Sequence, residues 1–116
     1  MVSTFRPRYE LQRHNRKYVE GELGEDKSFY FRGPDGALKL RAQNLLLFLQ
    51  IAQGVDDMTW LYHLRAADYS RWLRESIKDD ELADDVASAE KDPTLTASES
   101  RRRVREAIVG RYTGAA

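Results

Sequence analysis

Apolar residues recur at helical spacing along most of this chain, and at a period of two in one short stretch. Leu45, Leu46, Leu49 and Ala52 share one helical stripe, and Leu47, Phe48 and Ile51 widen it. So broad a stripe predicts a central, mostly buried helix over about 42–53, stopped by Gly54. Trp60, Leu61 and Leu64 make the inner face of a second helix, about 57–66. Asp56 or Asp57 opens it, because a carboxylate can accept from the unpaired amides of a first turn. Asp68 opens a third, about 69–78, with Tyr69, Trp72, Leu73 and Ile77 inward. A fourth, about 80–91, starts near Asp79 with Leu82, Ala83, Val86 and Ala89 inward, and ends before Asp92-Pro93. Thr96-Ala97-Ser98-Glu99 has the spacing of a capping box, in which hydroxyl and carboxylate each satisfy one backbone amide. It opens a fifth helix over 97–112, with Val104, Ala107, Ile108 and Tyr112 inward.

The period-two stretch lies earlier. Ser28-Phe29-Tyr30-Phe31-Arg32 is rich in strand formers, Gly33-Pro34-Asp35-Gly36 is a turn signal, and Ala37-Leu38-Lys39-Leu40 alternates. Together they predict a β-hairpin over 28–40. A lone hairpin is marginal in water, so it must pack on the helices or pair with another chain. Residues 1–26 read as a basic arm that packs on the core through Tyr9, Tyr18, Val19 and Leu23. The expected architecture is α+β, mostly α. The arm and hairpin pack on a bundle of four to five short helices, one globular domain over 27–113, with a tail at 114–116. Trp60, Trp72, Phe48, Leu49, Leu64, Leu73 and Val86 are the expected core, and the short links between helices two, three and four favour sharp corners.

Composition narrows the classes. The 116 residues suffice for one self-sufficient core. There is no cysteine, which removes disulfides, thiol nucleophiles and thiolate metal sites. No apolar run approaches the roughly 18 residues of a membrane span, and no signal peptide is expected; a cytoplasmic location fits. The zero net charge hides an asymmetry. Residues 1–54 hold nine Lys and Arg against six Asp and Glu, residues 55–95 five against eleven, and residues 96–116 five against two. An acidic middle between basic ends suggests internal or intersubunit pairing and makes nucleic acid an unlikely partner.

Candidate chemistry is sparse. His63 would need a carboxylate to orient it and a nucleophile beside it to act as a base. Asp57, Asp68 and Ser70 are near in sequence, without the spacing of an established triad. Arg41, Arg65, Arg71 and Arg74, with His63 and Lys39, could form an anion pocket for a phosphorylated ligand; Arg71 and Arg74 share a helix face. Arg101, Arg102, Arg103 and Arg105 form a basic block, expected to pair within the chain or between subunits, with the acidic run Asp79 to Asp85 as the face available in the same chain. That run lacks the glycine turn of a calcium loop. No metal and no cofactor are expected, and there is no phosphate-binding glycine loop.

The Phe29-Tyr30-Phe31-Arg32-Gly33-Pro34 run, the Leu-Arg-Ala-Gln-Asn run at 40–44, the Trp-Leu-Tyr-His-Leu-Arg run at 60–65 and Asp68 through Arg74 resemble a small bacterial domain of uncharacterised activity. It occurs at the C-terminal ends of some haloacid-dehalogenase-type phosphatases. The resemblance covers about residues 27–113 and implies an accessory, targeting or regulatory module; it brings no functional residues with it. That superfamily needs an Asp-x-Asp pair near a strand end, and Asp35 has no partner at that spacing.

The expected function is therefore a non-catalytic interaction or regulatory module, homodimeric or bound to a protein partner such as an enzyme it regulates. Its expected surface includes Arg6, Arg8, Tyr9, Arg101, Arg102 and Arg105, with exposed aromatics of the arm and hairpin. Binding a phosphorylated small molecule is the alternative, and binding DNA the second.

Overall fold

The computed structural model describes residues 18–112. Two short antiparallel strands, β1 (Phe29–Phe31) and β2 (Leu40–Ala42), lie against a helical bundle. The helices are α1 (Leu45–Gly54), α2 (Asp57–Arg65), α3 (Asp68–Trp72), α4 (Asp80–Glu90) and α5 (Ala97–Tyr112); a π-helical turn, Leu73–Ile77, continues α3. This is the expected α+β, mostly α architecture.

Most helix starts follow from local side-chain caps. Asp56 accepts from the Thr59 amide at 3.0 Å, and Asp79 accepts from the Leu82 amide at 3.1 Å. The capping box closes both ways: the Thr96 amide donates to Glu99 Oε1 at 2.9 Å, and the Glu99 amide donates to Thr96 Oγ1 at 3.0 Å. Asp68 departs from this rule. It is the first residue of α3 but does not cap it, because its carboxylate is taken by His63 and Arg71.

The hairpin differs from expectation in extent. Phe29 faces Ala42 and Phe31 faces Leu40, so Ala42 is a strand residue, fully buried, rather than the start of a helix. α1 begins three residues later, where Asn44 Oδ1 accepts from the Leu47 amide at 2.8 Å. Beyond Phe31 the ladder stops. The Leu38 amide returns to the Arg32 carbonyl at 3.1 Å, while the amides of Arg32 and Gly33 turn onto His63. Gly33 has φ of +80°, and a Cβ there would sit 3.2 Å from Thr59 Oγ1, so backbone freedom and close approach both require glycine.

The core is aromatic at its centre. Phe48 stacks with Phe31 at 5.4 Å and with Trp72 at 5.2 Å between ring centroids, and Trp60 stacks on Tyr69 at 4.3 Å. Leu64, Leu73 and Val86 are buried as expected, and Leu49 is half-buried beside them. α1 is less enclosed than its stripe suggested: Leu45, Phe48 and Ala52 are buried, but Leu46 is 47% exposed and shares the solvent side with Gln50 and Gln53. The expected arm joins the core at Tyr18, Val19 and Leu23. The Leu23 amide donates to the Gln43 carbonyl at 2.9 Å, and Asn44 Nδ2 donates to the Gly21 carbonyl at 2.8 Å, so the globular unit already includes these residues. Tyr9, Arg6 and Arg8 lie outside the described residues.

α4 and α5 pack as an antiparallel pair. The start of α4 therefore meets the end of α5, where Arg111 and Tyr112 both donate to Asp79 Oδ2, at 2.5 and 2.7 Å. No helix among the described residues is long and apolar enough to cross a membrane.

Candidate functional site

Two concave regions draw on the residues singled out in the sequence. The first is an open cleft of about 550 Å³ between the hairpin loop and α2–α3, lined by Arg32, Tyr62, His63, Asp68, Arg71 and Glu75 among others. His63 and Arg71 meet here with Asp68 between them. His63 Nδ1 lies 2.8 Å from Asp68 Oδ2, and Arg71 Nη1 donates to Asp68 Oδ1 at 2.9 Å. The backbone amides of Arg32 and Gly33 donate to His63 Nε2 at 3.1 and 3.3 Å. Two converging donors assign the tautomer: Nε2 carries no proton, and Nδ1–H donates to Asp68. A general base needs that Nε2 lone pair directed at a substrate, and here the backbone fills it. The imidazole is also 4% exposed and edged by Phe29 and Phe31. The arrangement ties hairpin to helix; it does not prepare a proton transfer.

The other residues of the expected anion pocket lie elsewhere. Arg41 Nε donates to Ser28 Oγ and Nη2 to the Leu23 carbonyl, both at 2.9 Å, fastening the chain entering β1. Arg74 faces α4, with Asp84 at 2.8 Å and Asp80 at 3.4 Å. Arg65 is exposed and does not line the cleft. Of the five expected ligand residues, the fold brings only His63 and Arg71 together, and Asp68 already takes both. The exposed hairpin aromatics expected as a contact surface are not available either. Phe29 and Phe31 are buried, and Tyr30 is half-buried, with its hydroxyl on the Glu25 carbonyl at 2.8 Å and the Arg32 guanidinium over its ring.

The second region is a groove of about 420 Å³ between α1 and α5. Its floor is Phe48, Ala52, Trp60 and Val104; Leu49 and Gln53 form one wall, and Arg101, Arg102 and Arg105 the other. The basic block thus sits here, and within the chain it does not pair with the acidic run. The antiparallel pairing of α4 with α5 puts residues 101–105 at the far end from Asp79–Asp85. Arg111 pairs with Asp79 and Glu81 instead, and Arg74 with Asp80 and Asp84. Arg101 is half-buried and fully engaged. It reaches the Ala52 carbonyl at 3.0 Å, the Val55 carbonyl, and Asp57 at 2.6 Å, and lies over the Trp60 ring. Arg102 and Arg105 are exposed and form no hydrogen bond or ion pair of their own among the described residues.

Sequence reasoning missed Glu90. Its Oε2 accepts from the Ser70 amide at 3.1 Å, while Oε1 is buried without a partner among the described residues. Burial pushes its carboxyl above the usual range, against the hydrogen bonds from Ser70. A lone glutamate near the end of an amphipathic helix gave no signal of this. Among the described residues, no group of three His, Cys, Asp or Glu could hold a metal ion. No protein-family model, no curated protein and no solved structure matches the chain at a significant level.

Proposed function

We propose that this protein is a non-catalytic interaction module that docks a protein partner in the groove between α1 and α5. The observation that carries the reading is the groove itself. It has an apolar floor and two exposed rim arginines that make no hydrogen bond or ion pair among the described residues, Arg102 having only the longer-range attraction of Glu99, beside a helix that leaves Leu46 exposed. Concave, partly apolar surfaces with a few polar anchors are where binding concentrates, and arginine is enriched at such interfaces. The engaged nitrogens of His63 support the non-catalytic part. An accessory or regulatory role beside an enzyme accords with this reading. The alternative, a phosphorylated ligand in the His63 cleft, draws less support, because Arg71 is already neutralised by Asp68.

The test is a comparative capture from host lysate with wild type, Leu49→Asp and, as a control in the cleft, Tyr62→Ser. The expected result is a stoichiometric partner that Leu49→Asp loses and Tyr62→Ser keeps. Identical capture by all three would sink the reading.

A further inference from the structure

The groove is specific enough in chemistry to define its occupant, given that it docks a partner at all. Leu49 and Gln53 fall at i and i+4 on α1, so they share one face along the groove, and Leu46, one turn earlier, continues that face beyond its end. Ser98, Arg102 and Arg105 fall at i, i+4 and i+7 on α5 and form the opposite wall. Arg101 ties the C-terminal carbonyls of α1 to the first turns of α5, which fixes the two walls at this end. Two fixed helices with an apolar trough between them present ridges and grooves that accept a third helix. At 1.5 Å per residue, the groove-lining stretch of α1, residues 48–53, offers a track of about 9 Å, between one and two helical turns.

Charge selects among occupants. Arg105 has no hydrogen-bond or ion-pair partner among the described residues, and Arg102 has only the exposed Glu99 nearby on its own helix, so the rim stays basic and a cationic or neutral helix would leave it facing like charge or nothing. The chain's own residues 1–17 carry Arg6, Arg8, Arg13, Arg16 and Lys17 against Glu10 alone, the same sign as the rim. The acidic α4 of a second copy has the right sign. Its solvent face, however, is Asp80, Glu81, Asp84, Asp85 and Ser88, with no apolar anchor for the trough, and Arg74 and Arg111 already hold three of those carboxylates. We infer that the α1–α5 groove binds an acidic amphipathic helix of a partner protein, its apolar side chains seated against Leu49 and its carboxylates on Arg102 and Arg105.

This rests on the interaction-module reading, and the experiment separates the two. A displayed library of amphipathic helical peptides, with leucine on one face and every other position random, is selected against wild type and against the Arg102→Glu/Arg105→Glu variant. The expected result is enrichment of glutamate and aspartate beside the leucine face on wild type only. The recovered peptides should weaken by about tenfold on the variant, as two exposed ion pairs imply. Their binding should shift amide resonances of α1 and α5 rather than those of the His63 cleft. Recovery of peptides that bind the groove with no acidic bias would overturn the acidic assignment and leave the docking reading standing. Recovery of none from wild type would remove both. Sedimentation of the two proteins covers the remaining occupant: a wild-type dimer that the charge reversal separates would give the groove to a second copy and overturn the inference.

Discussion

His63 Nδ1 sits 2.8 Å from Asp68 Oδ2, across the corner between α2 and α3. In sequence Asp68 is one of several carboxylates and hydroxyls near His63, at no established catalytic spacing. The fold gives the other nitrogen to the backbone of the hairpin loop, 30 and 31 residues away. One imidazole thereby joins three elements: the carboxylate orients the ring, and the ring ends the β-ladder.

His63→Ala strands two backbone amides and opens a cavity among Phe29, Phe31 and Tyr69. The expected loss is about 2–4 kcal/mol, from buried donors left unpaired plus a packing defect. Chemical denaturation monitored by tryptophan fluorescence would measure it. A loss below about 0.5 kcal/mol would show that the hairpin does not depend on this tie.

Asp79 and Glu90 respond to acid in opposite directions. Burial of Asp79 opposes ionisation, but the hydrogen bonds of Arg111, Tyr112 and the Leu82 amide outweigh it and hold the carboxyl below its ordinary 3.8. A depressed acid contributes stability that is present above 3.8 and is lost as pH falls through its folded value. Glu90 is raised above its ordinary 4.5 by burial. In the window just above 4.5 the folded state holds the extra proton, so stability falls as pH rises through it. Thermal melts across pH should show Asp79→Asn flattening the acid limb and Glu90→Gln flattening the limb above 4.5. A variant that leaves its own limb unchanged would contradict its assignment.

Asp79→Ala should also destabilise at neutral pH by about 2–3 kcal/mol, because it removes the α4 cap and leaves the Tyr112 hydroxyl without its acceptor. Restoration by Asp79→Asn of part of the loss, read by denaturant midpoint, would distinguish the cap from the ion pair.

Ala67 has φ of +59° at the end of α2, a left-handed conformation that Cβ disfavours. Ala67 is exposed, so glycine there forfeits little burial. Ala67→Gly is expected to raise stability by about 0.5–1 kcal/mol, the relief of strain less the entropy glycine adds to the unfolded chain. An unchanged or lower midpoint would refute it.

Arg101 and Arg105 are one turn apart on α5 but should differ in stability effect. Arg101→Ala removes bonds to two α1-end carbonyls and Asp57, and should cost about 1–2 kcal/mol. Arg105→Ala should stay within about 0.5 kcal/mol of wild type, because the exposed side chain makes no hydrogen bond or ion pair among the described residues. Equal losses would mean that the rim arginines are structural and not held for a partner.

The features legible in the sequence were those made by neighbours. Asp56 with Thr59, Asp79 with Leu82, and Thr96 with Glu99 are each three residues apart, so the residues that start a helix are printed beside it. The same holds for the Gly33–Gly36 turn, whose bond spans three residues, and for the apolar stripes that placed Trp60, Trp72 and Val86 in the core. What tertiary structure decided was the identity of distant partners. Arg111 found Asp79, 32 residues back; Arg101 found Asp57, 44 residues back; and His63 found the hairpin amides. A cap depends on a bond within one turn of backbone. A charge can take any opposite charge that the packing of helices brings within reach, and only the antiparallel pairing of α4 with α5 decided that Arg102 and Arg105 would be left over at the edge of a groove.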